Sequence, residues 1–137
     1  MILVDSNVLI DVAYARPPWG AWSKAAVAQA CASGPAVINR IVLAELAPAF
    51  DSLETLLGFV GTVGIRIADL SDAAAFRAGQ AHALYRRAGG AREAVLADFL
   101  VGGHVSALGA TLLTRDRQRF AGYFPEVKII SPEANHD

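Results

Sequence analysis

The sequence predicts an α/β fold, a three-layer α/β/α sandwich around a mostly parallel sheet of about five strands. Three observations predict it. Short apolar runs such as Ile2-Leu3-Val4 and Ala36-Val37-Ile38 are hydrophobic at consecutive positions, as strands buried on both faces are. Longer helical stretches separate those runs, so successive strands need crossovers and run parallel. Asp5, Glu45, Asp98 and Asp116 each stand near a strand end or on a helix that can face the same sheet edge. Open parallel sheets bind ligands outside the carboxyl ends of their strands.

The elements follow in order. Ile2 to Val4 is a strand closed by Asp5-Ser6-Asn7, a turn rich in helix-capping residues. Val8 to Tyr14 is a short helix stopped by Arg16-Pro17-Pro18. An Ala-rich helix spans Trp22 to Ala32 and ends near Ser33-Gly34. Ala36 to Ile38 is the second strand, and Asn39 can cap a helix from Ile41 to Ala47 that Pro48 ends. Asp51 to Val60 is helical, with Leu53, Leu56, Leu57 and Val60 on one stripe. Ile65 to Ala68 is the third strand, and Ser71 caps a helix running to Arg87. Glu93 to Leu108 is a helix ended by Gly109, followed by strands at Ala110–Leu113 and Val127–Ile130.

A chain of 137 residues suggests one domain, taken as 1–131, with a loose tail at 132–137. With 54% hydrophobic and 18% charged residues it can fill a core and is no disordered chain. No apolar run reaches membrane-spanning length without a charge, and the opening residues lack a basic leader and cleavage site. The start reads as part of the fold, and the expected location is cytoplasmic, with no membrane partner. The single cysteine, Cys31, excludes an internal disulfide and a cysteine-based zinc cluster. A net charge of −1 gives no global nucleic-acid signature. Of the twelve basic residues only Lys24 and Lys128 are lysines, and arginine suits bidentate phosphate contact.

The acids carry the chemistry. Hard divalent cations such as Mg²⁺ or Mn²⁺ want oxygen ligands, and one or two such ions activate water against a phosphodiester. In Val4-Asp5-Ser6-Asn7-Val8, Ser6 or Asn7 can cap the following helix, which leaves Asp5 free to point at the crevice. Asp11 either supports the site from behind or is a solvated helix residue. Glu45 lies in the apolar stretch Val42-Leu43-Ala44-Glu45-Leu46, and Asp98 in Val95-Leu96-Ala97-Asp98-Phe99. A carboxylate buried in such surroundings is costly without a partner, and a metal ion offsets that cost. Gly102 and Gly103 weaken their helix by roughly 1 kcal/mol each against Ala, which implies close packing there. His104 follows Asp98 by six residues, so it faces away and reads as a buried, hydrogen-bonded histidine. Thr114-Arg115-Asp116-Arg117 follows the fourth strand. There Thr114 can hydrogen-bond a carboxylate or water, while Arg115, Arg117 and Arg119 either reach phosphate or form a solvated loop.

These segments together resemble the PIN-domain family, in particular the VapC-type toxins of prokaryotic toxin–antitoxin pairs. The resemblance runs from Ile2 to about Ser131 and rests on four stretches in the family order. They are Val4-Asp5-Ser6-Asn7-Val8-Leu9-Ile10, Val42-Leu43-Ala44-Glu45-Leu46, Asp98-Phe99-Leu100-Val101-Gly102 and Leu113-Thr114-Arg115-Asp116. Ser6 stands where the family commonly has Thr, and the hydroxyl is kept. The resemblance implies a Mg²⁺- or Mn²⁺-dependent endoribonuclease, the toxin of a type II pair. Asp5, Glu45, Asp98 and Asp116 would form the metal and catalytic site, and Ser6, Asn7 and Thr114 would be supporting polar groups. It also implies a homodimer and an antitoxin on a separate chain. Arg92 and Arg115 are the candidates for phosphate contact on an RNA substrate. Trp19, Trp22 and Tyr85 could stack on bases, although packing in the core or against a partner is the favoured reading for each. The main alternative is a catalytically silent PIN-like module that binds RNA or a partner. A phosphoaspartate enzyme fits poorly, because Asp5-Ser6-Asn7 lacks a second acid two residues on and Lys128 lies inside a strand.

Overall fold

Strand β1 (Ile2–Val4) is the centre of the sheet, and its burial explains why. Leu3 and Val4 point to opposite faces, yet both are fully buried, so both faces are covered. The structure is a computed structural model and describes residues 1–89 and 95–132. The other strands are β2 (Ala36–Ile38), β3 (Arg66–Ile67), β4 (Thr111–Leu113) and β5 (Lys128–Ile130). Their spatial order is β3-β2-β1-β4-β5, and every pairing is parallel. The edge strands β3 and β5 carry Arg66 and Lys128 at exposed positions, which discourages pairing with another chain. Winding proceeds outward from β1 through β2 to β3, then returns to the other side of β1 for β4 and β5. The switch point therefore lies between β1 and β4, where Leu3 is level with Leu112 and Val4 with Leu113.

The helices are α1 (Ser6–Tyr14), α2 (Gly20–Ser33), α3 (Arg40–Leu46), α4 (Leu53–Val63), α5 (Asp72–Arg87), α6 (Leu96–Leu108) and α7 (Arg117–Ala121). Asn39 and Ser71 cap α3 and α5 as their sequence positions suggest. Gly109 ends α6 at φ 62°, a left-handed conformation that glycine adopts without strain. Three expectations need correction. Helix α4 begins at Leu53 because Ser52 and Thr55 form a reciprocal capping box. Its apolar stripe is also narrower than expected, since Leu56 and Val60 are buried while Leu53 and Leu57 are exposed. The segment after β4 is no solvated loop, because Asp116 caps the short helix α7 there. The expected helix start at Glu93, the candidate Arg92 and tail residues 133–137 lie outside the described residues.

The glycine pair in α6 does bring neighbours close. A methyl group at Gly102 would overlap the Phe124 ring, and one at Gly103 would sit 3.0 Å from the Ala78 Cβ of α5. Phe99 closes this region, with ring centroids of Tyr123 and Phe124 at 4.9 and 5.6 Å. These contacts fix the rotation of α6 and so the direction in which Asp98 points. No helix among the described residues is long and apolar enough to cross a membrane.

Candidate functional site

Asp5 follows β1 directly and is fully buried. Its backbone N–H donates to Leu113 O at 2.8 Å, which extends the β1–β4 ladder to the switch point. Asp5 itself caps α1, and this corrects the expectation that Ser6 or Asn7 would. Its Oδ1 accepts from Ser6 N at 2.8 Å. Its Oδ2 accepts from Thr114 Oγ1 at 2.8 Å and from Arg119 Nη2 at 2.7 Å. The two residues expected to cap do other work. Ser6 Oγ donates to Glu45 Oε1 at 3.2 Å, and Asn7 Oδ1 accepts from Arg115 N at 3.3 Å.

The remaining acids arrive from three elements. Glu45 lies in the last turn of α3, exposed as a residue, but its carboxylate end reaches Ser6. Asp98 lies in the first turn of α6, with its side chain 13% exposed and its Oδ1 3.3 Å from Arg119 Nε. Asp116 caps α7 through Arg119 N, which donates to Asp116 Oδ1 at 3.2 Å, while its own N–H donates to Thr114 Oγ1 at 3.1 Å. Thr114 thereby links Asp5 to the start of α7.

Neighbouring carboxylates act on Asp5, Glu45 and Asp98. Burial pushes the Asp5 carboxyl above the ordinary carboxylate range, against the pull of Arg119, Thr114 and Ser6, and the Asp116 charge adds to the rise. Burial likewise raises Glu45, with Asp5 next in effect, and raises Asp98, where Asp5 and Asp116 add and Arg119 opposes. Arg119 is the residue sequence reading undervalued. It was one of three arginines in an apparent loop, and only the turn of α7 aims it at Asp5 and Asp98.

Asp11 is also fully buried, which excludes the solvated reading. Ser23 Oγ donates to its Oδ2 at 2.9 Å, and Arg115 Nε stands 2.6 Å from the same oxygen. Arg115 thus lies on Asp11, its Cζ 5.6 Å from the Trp19 ring centroid, with its side chain 27% exposed. His104 is buried away from the acids, as expected. Asn39 Oδ1 accepts from Val42 N at 3.0 Å, so Asn39 Nδ2 is the donor to His104 Nδ1 at 3.2 Å. Burial lowers the His104 pKa and keeps the ring neutral.

The donor set tests the fit to a metal. Apart from the Arg119 guanidinium, the groups bonded around Asp5, Glu45, Asp98 and Asp116 offer carboxylate and hydroxyl oxygens, which suit a hard divalent cation. Among the described residues no three His, Cys, Asp or Glu side chains already stand as a chelate. The Arg119 guanidinium takes up the space between Asp5 and Asp98 instead. The chemistry of the site therefore fits such an ion once that guanidinium gives way.

Fold and crevice together define a PIN-like α/β domain with an acidic switch-point crevice. The sequence matches no protein-family model and no curated protein. Solved structures do match. VapBC2 from Rickettsia felis, solved with a DNA fragment from its promoter, aligns at TM-score 0.69 and 20% identity over 96% of this chain and 98% of that one. DNA-bound VapBC from Salmonella typhimurium aligns at 0.68 and 24% over 95% and 96%. A toxin–antitoxin complex from Klebsiella pneumoniae aligns at 0.64 and 21% over 96% and 98%. The chain has the PIN-like fold of the VapC structures.

Proposed function

We propose that this protein is a Mg²⁺- or Mn²⁺-dependent endoribonuclease, the toxin of a type II toxin–antitoxin pair. The observation that supports it is local: Asp5 and Asp98 share the Arg119 guanidinium, Ser6 beside Asp5 bonds Glu45, and Thr114 links Asp5 to Asp116. The solved complexes with the same fold support the toxin assignment and an antitoxin on a separate chain. A homodimer and a cytoplasmic location belong to the same reading.

In this reading Asp5, Glu45, Asp98 and Asp116 are the residues that would hold the ion. A bound divalent ion supplies a water of lowered pKa and charge stabilisation at phosphorus. The chain's own residues do the rest. Ser6 aims Glu45, and Thr114 fixes one oxygen of Asp5 so that the carboxylate cannot rotate freely. Arg92 and Arg115 are the phosphate contacts, Arg115 through N–H groups other than the Nε it turns to Asp11. The substrate is single-stranded or looped RNA, whose bases are accessible.

A second reading, a silent PIN-like module that binds RNA or a partner, draws on the guanidinium already lodged between Asp5 and Asp98. One assay separates the two. Purified protein should cut RNA with Mg²⁺ or Mn²⁺, lose all cutting in EDTA or as Asp5→Ala, and cut less as salt rises. Cutting that survives EDTA refutes the metal mechanism, and RNA binding without cutting under any divalent ion supports the silent module.

A further inference from the structure

We propose that Arg119 is the resident counter-cation of the crevice, exchanging with the divalent ion for the same two carboxylates, Asp5 and Asp98. This inference rests on the metal reading above and adds a residue that sets how tightly the ion is held.

The geometry leads to it. One guanidinium touches two acids from different elements, Nη2 at 2.7 Å from Asp5 Oδ2 and Nε at 3.3 Å from Asp98 Oδ1. Asp5 is wholly buried and the Asp98 side chain is 13% exposed, so a cation beside both offsets the cost of ionising them. The place that satisfies both is the place a divalent ion would take. Two cations cannot share it, because like charges a few ångströms apart in a poorly solvated crevice repel strongly.

The side chain is built to leave. A third of it is exposed, so it borders the crevice mouth. Its Nε is buried yet makes no well-formed hydrogen bond, so departure breaks a weak contact at that atom. Its Cζ lies 4.8 Å from the centroid of the buried Phe120 ring, a cation–π contact weaker than an ion pair. Helix α7 itself stays anchored through Asp116, which accepts from the Arg119 backbone rather than from its side chain. Arg115 on Asp11 is not interchangeable with it, because Asp11 is a single acid bound to Ser23.

Mn²⁺ titrations of metal-free protein, followed by electron paramagnetic resonance of the free ion, test the exchange. Wild type, Arg119→Lys and Arg119→Gln are compared above neutral pH, with circular dichroism to confirm folding. Arg119→Gln should bind Mn²⁺ about tenfold tighter than wild type, a loss of competition between like charges. Arg119→Lys should fall between, since a point charge cannot span both acids. The Mn²⁺-induced rise in melting temperature should follow the same order. Should Arg119→Gln fail to fold, tighter binding by Arg119→Lys alone carries the test. Equal or weaker binding by the folded variants overturns the exchange, whereas absent Mn²⁺ binding in wild type and every variant overturns the metal reading itself.

Discussion

Two buried aspartates six residues apart use the same parts and end in different states. Asp5 and Asp11 are both fully buried, both bonded to a hydroxyl, and both paired with an arginine from the segment after β4. Asp11 meets Ser23 and Arg115, one negative charge against one positive. Asp5 meets Thr114 and Arg119, but Arg119 also serves Asp98, and Glu45 and Asp116 add their charges. The Asp11 pair ties α1 to α2 and to the β4–α7 segment. The Asp5 group gathers more carboxylates than its arginine can pair, and in the proposed function that surplus is what a divalent cation would offset. What distinguishes the two aspartates is the charge balance of the neighbourhood, not the pair.

Breaking the balanced pair should have the largest effect on stability. Asp11→Ala leaves Arg115 and Ser23 facing each other without their acceptor. It should cost about 3 kcal/mol in urea unfolding, the low end for a broken buried pair because Arg115 is partly exposed. RNA cleavage per folded molecule should change little. Cleavage lost in a variant of native stability would move Asp11 into the active site.

The unbalanced group should respond in the opposite sense, and pH shows it. Asp5, Glu45 and Asp98 have folded pKa values raised above the ordinary carboxylate values. The folded chain therefore binds more protons than the unfolded one, and their contribution to stability falls as pH rises from about 4 through the raised values. His104 acts with the other sign. Its lowered pKa makes the unfolded chain the better proton acceptor, so its contribution grows as pH rises towards its ordinary 6.5. Asp98→Asn isolates the carboxylate part. Metal-free, it should melt no lower than wild type near neutral pH and show a shallower fall with pH. Its Mg²⁺- or Mn²⁺-induced rise in melting temperature should shrink. An undiminished rise would remove Asp98 from the ion's ligands.

The smallest effect belongs to a single hydroxyl on the balanced side. Ser23→Ala should cost about 1 kcal/mol by chemical denaturation, the usual worth of one buried hydrogen bond. It should leave the metal response of melting untouched, because Ser23 contacts Asp11 and not Asp5. A change in that response would show the two aspartates to be coupled.

Much of this was legible in the residues alone. Consecutive apolar positions in Ile2-Leu3-Val4 and Ala36-Val37-Ile38 required strands covered on both faces, since no polar face was left for water. Asn39, Ser71 and Gly109 marked helix ends through local hydrogen bonding and backbone freedom, which depend on near neighbours only. Gly102 and Gly103 announced a close approach without saying to what. Tertiary structure alone decided the partners, Phe124 and Ala78, because those meetings join distant parts of the chain. It also decided that Asp5, not Ser6 or Asn7, caps α1, a choice between neighbouring groups that depends on where Thr114 and Arg119 stand. The same holds for the arginines. Arg115 and Arg119 look alike in sequence, but Arg115 precedes the α7 cap and Arg119 lies within the helix, and they reach different aspartates. A side chain's direction is set by helix rotation, and that rotation is fixed by long-range packing.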